Sequence, residues 1–584
     1  MTPSIAFRRL SPALALAACA ALVPAAIHAQ DGKPGAPRSE WLTWGGTIER
    51  EGWNRAERTL SKATVGRLEV KWKTQIDKTV PLDIESGASM LTAPLVAHGV
   101  GTPKGPRSLV YTLAASNTLA ALDTATGSVV WRTTFENAVA PVNVANWVCT
   151  NTATATPVID KAHGVLYAIA SDGRLHGVDI ATGRQKMAPL DFVPPYSRNW
   201  SLNLVDGVLY TTVGRGCGNP PGAPAPAPAA ATGVSAADAA AGEPGAAARP
   251  RRVAVASHMI ALDLNDPARK ITRFFTNPSR PGGAWSRAGM AWGFGSFFAL
   301  TADGEWDPAK GLWAQSLVRL RPRTLELMDY FTPSSLDEIN AKDLDYASGG
   351  AVAFTYQGRD LVLSAGKDGT VFLHDARSLG GADHRTPLVA IKAGNDEMMY
   401  ASTGVWGAPA TFVNARNERW VYIPMWGPPS TQATFERTNG DAPHGSIMAF
   451  QIVLQDGKPT IVPKWVSRDL AVPDSPVIAN GVVYAISTGE NTLQRHTDPR
   501  YQTIYKGPDG KAPPKTGVLT AEERGQNVTH TTLYAFDAET GRELYSSGDA
   551  IDDWTHLSSI TVVGGHVYVT TRKSYVYAFG LKAK

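Results

Sequence analysis

The sequence is poor in cysteine and in charged residues. It has three cysteines among 584 residues and no Cys-x-x-Cys-His motif, which excludes a covalently attached c-type haem. It also contains no serine-hydrolase elbow, phosphate-binding loop or zinc-ligand spacing. Charged residues make up only 18% of the chain and the formal net charge is +4. This balance gives no indication of a nucleic acid or an anionic surface as a partner.

The first 29 residues have the pattern of an export signal. Arg8 and Arg9 precede an apolar run at residues 10–27, and no acidic residue occurs in this stretch. Cleavage after Ala29 would give a periplasmic or secreted protein without a transmembrane segment. The alternative is a lipoprotein, because residues 16–18 are the kind of small-residue pattern that precedes an acylated cysteine, here Cys19.

An apolar strand that runs into Asp-x-x-Thr-Gly recurs along the chain, mostly as weaker copies of the strand. In such a unit the Asp side chain caps the turn and Gly permits a positive φ. The series has eight members, at residues 119–127, 182–183, 259–263, 317–320, 371–375, 447–450, 533–541 and 575–579. A second series of eight apolar strands stands just upstream, at residues 109–114, 164–168, 207–213, 293–301, 361–365, 420–424, 481–486 and 565–570.

Two matched series of eight predict an all-β protein, an eight-bladed β-propeller in which radial packing hides most strand edges. A β-sandwich or two separate β domains are the alternatives. We expect one propeller domain at residues 30–584. Residues 220–252 are rich in Ala, Pro and Gly and almost without large apolar groups, which predicts a disordered insertion in the third blade.

Three stretches resemble the pyrroloquinoline quinone (PQQ) dehydrogenases: residues 44–46 (Trp-Gly-Gly), residues 68–72 and the Ala-x-Asp-x-x-Thr-Gly-x-x-x-Trp pattern of residues 121–131. The eight blades of that family, including its polyvinyl-alcohol dehydrogenase-like members, are locked by tryptophan docking motifs. The tryptophan position holds Met187 in the second unit and Tyr545 in the seventh. The resemblance implies alcohol oxidation with PQQ and Ca²⁺ as cofactors.

The resemblance also implies a floor for the quinone and part of a metal site. Trp292, in residues 291–294, matches the tryptophan that lies under the cofactor. Asp303, in residues 300–308, falls near an asparagine that helps bind the metal, and a carboxylate there would suit a hard cation such as Ca²⁺. The alternatives are a blade-packing tryptophan and an exposed acidic turn.

Asp345 aligns with the catalytic aspartate of the family, which removes the alcohol proton and lies at the metal. Ala347 stands where lanthanide-using relatives carry a second acid, so the match favours calcium. Lys367 aligns with the Lys or Arg that contacts the quinone oxygens. A solvated turn for Asp345 and a polar hairpin for Lys367 are the alternatives.

The chain departs from the family pattern in two places. The adjacent cysteines that form a ring over the quinone are absent, and only Cys149 stands near that place. The segment that would hold a metal-binding glutamate, residues 213–219, contains Cys217 and no acid. We expect these two cysteines to form a disulfide beside the cofactor at the propeller mouth. Trp426 and Trp406 are expected to add aromatic surface there.

The sequence therefore predicts an exported PQQ-dependent oxidoreductase that acts on a small, bulky or polymeric alcohol. Because the chain has no haem motif of its own, its electrons would pass to an external acceptor such as a soluble cytochrome c. The alternative is a non-catalytic envelope propeller that binds a protein partner, similar to the lipoprotein scaffolds of outer-membrane assembly.

Overall fold

The structure is a computed structural model. It describes residues 1, 39–78, 91–141, 151–214, 256–277, 283–399, 403–493, 496, 519, 523, 525–556 and 558–583. All the elements described here belong to the compact unit Arg38–Lys584. The expectations for the export signal, the insertion at residues 220–252, Cys19, Cys149 and Cys217 lie outside the described residues.

Eight antiparallel sheets, called blades 1 to 8 in chain order, make up the fold. The first strands of several neighbouring blades contact one another, for example those of blades 4 and 5 and of blades 7 and 8, which puts the first strands at the centre of the ring. The strands of blades 1 to 4, from first to fourth, are Leu95–Thr102, Gly105–Leu113, Thr118–Asp123 and Val129–Thr134; Val158–Asp160, Val165–Ile169, Arg174–Asp179 and Gln185–Asp191; Asn203–Val205, Val208–Val213, His258–Asp263 and Ile271–Phe275; and Ala291–Gly293, Ser296–Leu300, Leu317–Leu320 and Leu327–Phe331.

Blades 5 to 8 follow the same order, except that the first strand of blade 6 is split in two. Their strands are Ala351–Tyr356, Arg359–Ala365, Thr370–Asp375 and Val389–Lys392; Gly404–Val405 with Ala410–Val413, Arg419–Trp426, Gly445–Gln455 and Lys458–Val466; Val477–Ala479, Val482–Ser487, Thr532–Asp537 and Glu543–Ser546; and Thr561–Val563, His566–Thr570, Tyr575–Leu581 and Leu68–Gln75. Trp53–Asn54 pairs in parallel with the first strand of blade 7.

The helices among the described residues are short. One is an α-helix, Leu336–Ala341. The others are single 3₁₀ turns at Val65–Arg67, Pro308–Lys310, Tyr346–Ser348 and Gly381–Asp383. None of the described helices has the length and hydrophobicity needed to cross a membrane.

The predicted eight-bladed propeller is confirmed. The Asp-Thr-Gly series marks the third strands of the eight blades, and the second series marks the second strands. At the end of the third strand of blade 1, Asp123 Oδ1 accepts a hydrogen bond from the backbone N–H of Ala125 at 3.0 Å, and Gly127 has a φ of 69°. The local turn chemistry read from the sequence is therefore the chemistry that ends these strands.

Blade 8 joins the two ends of the ring. Leu68–Gln75, from the beginning of the propeller, pairs antiparallel with Tyr575–Leu581, from its end. Because one sheet contains both segments, neither end can leave without breaking a blade. This pairing requires contacts between residues some five hundred positions apart, which no local sequence signal specifies.

Tryptophans in outer strands lock neighbouring blades together. Trp72, in the fourth strand of blade 8, donates from Nε1 to the carbonyl oxygen of Thr124 at 2.9 Å, and its ring lies over Gly127 of blade 1. A Cβ on Gly127 would be 2.5 Å from the ring. The same arrangement joins blades 1 and 2 and blades 6 and 7, through Trp131 on Gly183 and Trp465 on Gly541.

We expect Gly127→Ala to lower the free energy of unfolding by about 1 to 3 kcal/mol more than Gly99→Ala, because the new methyl group would collide with the Trp72 ring. Gly99 is a matched control, since its φ is 64° and an added Cβ meets no atom within 4 Å. Both substitutions place a side chain at a positive φ. The difference between their effects on the free energy of unfolding therefore measures the collision alone. Denaturant unfolding measures it, and equal effects would contradict the docking role.

Candidate active site

Antiparallel pairing places the ends of neighbouring strands side by side at the two edges of each blade. The start of the first strand and the end of the second strand lie at one edge, which we call the mouth edge, and the Asp-Thr-Gly turns lie at the opposite edge. In blade 5, Asp345 precedes the first strand and Lys367 follows the second. The backbone topology therefore brings these two residues together at the mouth.

Asp345 and Lys367 form a buried ion pair. The Lys367 ammonium donates to Asp345 Oδ2 at 2.5 Å and to the backbone carbonyl of Asp343 at 3.3 Å. Asp345 is 5% exposed and Lys367 is 4% exposed. The backbone N–H of Lys367 also donates to the carbonyl oxygen of Asp345, at 3.2 Å. A charged pair this deeply buried is a fixed part of the mouth and not a solvated turn.

The other oxygen of Asp345 is bonded to blade 4. Asp303 follows the second strand of that blade, and its backbone N–H donates to Asp345 Oδ1 at 3.3 Å. Asp303 and Asp345 are thus in contact, but the contact uses the backbone of Asp303. Among the described residues no group of three or more His, Cys, Asp or Glu has the geometry of a metal site. The calcium site at Asp303 and Asp345 stays a prediction.

A chain of hydrogen bonds inside blade 5 supports the residue next to Asp345. Burial lowers the pKa of His374 to about 4, so the ring is neutral at neutral pH. His374 Nδ1 donates to the Leu379 carbonyl at 2.7 Å, and Nε2 therefore accepts from Ser364 Oγ at 2.9 Å. Ser364 in turn accepts from the hydroxyl of Tyr346 at 2.5 Å. The chain ends beside Asp345 and fixes the turn that carries it.

Two stacked indoles border the ion pair. The Trp406 and Trp426 rings are 4.5 Å apart with an interplanar angle of 4°. Lys367 Nζ lies 4.5 Å from the centroid of the Trp406 ring. Trp426 is buried, and its Nε1 donates to the Pro473 carbonyl at 3.0 Å. Trp426 therefore supports the Trp406 ring from the buried side, and Trp406 is the partly exposed indole of the pair.

Trp292 lies at the opposite edge of blade 4. It pairs with Phe297 beside the hairpin turn, and the two rings are 5.0 Å apart. From Phe297 the second strand runs toward the mouth edge and ends at Leu300. Asp303 is six residues beyond Phe297, or up to roughly 20 Å away at about 3.3 Å per residue. The structure therefore does not bring Trp292 to the Asp345–Lys367 pair, and none of the described contacts joins them. The predicted floor role of Trp292 is not supported by this placement.

Trp285 lies at the mouth edge of the same blade. The backbone N–H of Ala302 donates to the Gly283 carbonyl at 3.0 Å, which brings the chain before the first strand alongside Asp303. Trp285 is partly exposed and packs against the apolar cluster that contains Ala302 and Tyr346. Sequence reasoning missed Trp285 because the local Trp-Gly-Phe match selected Trp292. The antiparallel register of the hairpin is the signal that would have found it.

Trp44 connects the inner segments of several blades. Trp44, from the segment before the first blade, packs against three alanines that precede first strands or lie beside them, Ala93, Ala288 and Ala408. Its Nε1 donates to Ser559 Oγ at 3.0 Å. One tryptophan therefore joins the inner segments of blades 1, 4, 6 and 8.

We expect Lys367→Met to lower the free energy of unfolding by about 3 to 5 kcal/mol, because it leaves the Asp345 carboxylate buried without its cation. The double variant with Asp345→Asn should lose less than the sum of the single variants, and a double-mutant cycle measures that coupling. Lys342→Met is the matched control, since Lys342 pairs with Glu338 at 2.7 Å on the exposed surface of the same blade region. It should cost less than about 1 kcal/mol. Equal effects at both lysines would contradict the description of the pair as buried and coupled.

Comparisons with known proteins show which other proteins share this fold. A family model described as outer membrane protein assembly factor BamB matches residues 50–207. None of the curated proteins compared by sequence matches the chain. Three solved structures share the fold over 94% of this chain. Two are quinohemoprotein alcohol dehydrogenases, from Comamonas testosteroni (16% identity, TM-score 0.52, 82% of that chain) and from Pseudomonas putida HK5 (15%, 0.53, 81%).

The third is a europium-containing methanol dehydrogenase, with 12% identity, a TM-score of 0.56 and 99% of that chain covered. At these identities the likeness concerns the fold. It agrees with the eight four- and five-stranded sheets and with the resemblance seen in the sequence motifs. The chain is an eight-bladed β-propeller with the fold of the quinoprotein alcohol dehydrogenases.

Proposed function

We propose that this protein is a PQQ-dependent oxidoreductase that oxidises an alcohol at the propeller mouth. The observation that carries the proposal is the buried Asp345–Lys367 pair, which puts a base and a cation side by side at the mouth edge. The shared fold with quinoprotein alcohol dehydrogenases supports it. The protein would work outside the cytoplasm, as its export signal predicts.

Asp345 would accept the hydroxyl proton of the alcohol. Its carboxylate is held by Lys367 at one oxygen and by a backbone N–H at the other, so its position is fixed before substrate arrives. Lys367 has a second acceptor in the Asp343 carbonyl at 3.3 Å. The ammonium can therefore stay at the mouth while one oxygen of Asp345 takes the proton.

The mouth suits a planar, anionic quinone. Its described residues include the Lys367 ammonium and two partly exposed indoles, Trp285 and Trp406, which would hold the cofactor by charge and by stacking. When bound, PQQ supplies the acceptor for the hydride that leaves the alcohol carbon. The positive charge of Lys367 would favour the reduced cofactor. Electrons would then pass to an external acceptor, such as a soluble cytochrome c.

A metal would add Lewis-acid chemistry at the same place. Ca²⁺ prefers six to eight oxygen ligands, whereas both oxygens of Asp345 are already engaged by protein donors. The donor set of the described residues thus fits the quinone better than the metal. Asp303 and Asp345 are the residues that would contribute carboxylates if calcium binds.

A non-catalytic scaffold in the envelope is the second candidate. The family model that matches residues 50–207 carries the description of an outer-membrane assembly factor, and this match favours it. A scaffold of this kind requires neither the Asp345–Lys367 pair nor a cofactor. It would make an acylated Cys19 the natural anchor.

We expect purified protein incubated with PQQ and Ca²⁺ to retain the quinone after desalting and to reduce a dye when an alcohol is added. Asp345→Asn should lower this rate by a factor of about 10² or more, because it removes the base. Asp360→Asn is the matched control, since Asp360 lies at the far edge of the same blade and bonds to Thr355. Retained activity in Asp345→Asn would contradict the assigned base, and lack of quinone retention under all cations would favour the scaffold.

The two tryptophans of blade 4 should differ in their effect on the cofactor. We expect Trp285→Ala to weaken PQQ retention at least tenfold and Trp292→Ala to leave it within about twofold, because only Trp285 lies at the mouth edge. Quinone absorbance after equilibrium dialysis measures both. The reverse order would restore Trp292 as the floor and contradict the assignment of Trp285.

A further inference from the structure

One segment before the first blade is bonded to nearly every blade of the ring. Residues 41–57, called the central segment, form hydrogen bonds with the first strands of blades 1, 2, 3, 4, 6, 7 and 8. The bonded residues of those strands are, in blade order, Val96, Ile159, Asn203, Trp292, Thr411, Ile478 and Val562. Among the described residues, no such hydrogen bond reaches blade 5. The blade that carries Asp345 and Lys367 is therefore the one that the central segment does not hold directly.

A buried ion pair makes the connection to blade 5 instead. Arg419 begins the second strand of blade 6 at the edge opposite the mouth, here called the turn edge. Its Nη1 lies 3.6 Å from Oε1 of Glu51, in the central segment. Its Nη2 donates to the carbonyl oxygen of Thr355, near the end of the first strand of blade 5, at 3.0 Å. The guanidinium carbon lies 4.9 Å from the centroid of the Phe354 ring. One side chain thus joins the central segment to the turn edge of blade 5.

The mouth edge of blade 5 is attached to blade 6 in a different way. The backbone N–H of Val405, in the first strand of blade 6, donates to the carbonyl oxygen of Gly366 at 3.0 Å. Ser348 Oγ donates to the carbonyl oxygen of Val405 at 2.6 Å. None of the three tryptophan–glycine docks described above lies at a junction of blade 5. Blade 5 therefore has a backbone attachment to blade 6 at the mouth and the Arg419 side chain at the opposite edge.

The ion pair of Glu51 and Arg419 is poorly solvated and incompletely bonded. Glu51 is 2% exposed and Arg419 is 6% exposed. Burial raises the pKa of Glu51 and lowers the pKa of Arg419 to about 10. Arg419 Nε is buried without a hydrogen-bond partner in the part of the chain that the structure describes. The 3.6 Å separation between the two charged groups is longer than a hydrogen bond. The desolvation of two such charges offsets much of their attraction.

An exposed arginine gives Glu51 a second partner. Arg55 Nη2 donates to Glu51 Oε2, and the side chain of Arg55 is 58% exposed. Breaking a buried ion pair is usually costly because one charge is left buried and alone. Here Glu51 keeps Arg55 when Arg419 leaves, and Arg419 regains water at the turn edge. Separation of this pair therefore leaves neither charge without a partner or solvent.

We propose that the pair of Glu51 and Arg419 is a releasable latch on blade 5. When Arg419 leaves Glu51 and Thr355, the turn edge of blade 5 separates from the central segment, and the blade pivots about its bonds at the mouth. The rest of the ring stays closed, because the central segment still holds the other seven blades. Asp345 precedes the first strand of blade 5 and Lys367 follows the second. The movement therefore changes the cover over an ion pair that is almost fully buried.

Hydrogen–deuterium exchange of the purified protein, followed by mass spectrometry at neutral pH, tests the latch. Arg419→Met should speed exchange in the first hairpin of blade 5, residues 351–365, at least tenfold. It should leave the first hairpin of blade 1, residues 95–113, within twofold. Glu51→Gln should have the same effect, because it removes the charge that holds Arg419. Arg55→Met should instead slow exchange at residues 351–365 at least threefold, since the released state then leaves Glu51 without a cation.

Arg359→Gln is the matched control. Arg359 is exposed, lies in the same hairpin of blade 5, and donates to the carbonyl oxygen of Gly457 in blade 6 at 2.8 Å. Its loss removes a bond between the same two blades and leaves the latch in place, so exchange at residues 351–365 should stay within twofold.

Three results would overturn the latch: faster exchange in both hairpins after Arg419→Met, no change in either hairpin, or faster exchange in Arg55→Met. If Arg419→Met does not fold, Glu51→Gln, which has nearly the same shape as the wild-type residue, provides the same comparison. The measurement uses neither quinone nor alcohol. Its result therefore stands apart from the proposed oxidation, and either of the two can fail without the other.

Discussion

Antiparallel pairing within each blade determines where chemistry can occur in this protein. It sends the start of the first strand and the end of the second strand to the same edge in all eight blades. Residues from different strands and blades, such as Asp303, Asp345 and Lys367, are therefore brought together at one mouth. The tryptophan docks between blades hold these edges in register, because each dock joins a fourth strand to the next third-strand turn. A rigid ring allows a buried ion pair to keep its geometry.

Local signals in the sequence were enough for the fold. The Asp-x-x-Thr-Gly turn is specified by neighbouring residues. Its three complete copies, at residues 123–127, 179–183 and 537–541, and the five weaker copies of its strand could therefore be counted without a structure. The closure of blade 8 by Leu68–Gln75 could not be predicted in this way, because it depends on contacts between the two ends of the chain. The same limit applies to the tryptophan proposed as the floor of the cofactor site. Trp292 was selected by its neighbours in sequence, but the register of the hairpin decides that Trp285 is the tryptophan at the mouth.

The residues of the candidate site also divide into those that local sequence predicts and those that only the assembled blades bring together. Asp345 and Lys367 were predicted because each stands in a segment that resembles the family, and the structure joins them at 2.5 Å. The contact of Lys367 with the Trp406 ring was not predicted, because it depends on the packing of blade 5 against blade 6. Residues that act as a pair across two blades have no signature in either segment alone.

The charges buried at the mouth lower the stability of the fold, and this cost indicates that they serve a function. Burying the Asp345–Lys367 pair destabilises a fold relative to apolar packing of similar volume. The same ring has apolar residues at equivalent depth elsewhere, for example the alanines around Trp44, so the fold itself does not require charges there. A scaffold that binds partners through its outer surface would gain nothing from them. The proposed oxidation of an alcohol beside an anionic cofactor needs a base with a cation beside it, and these two groups are found together at the mouth edge.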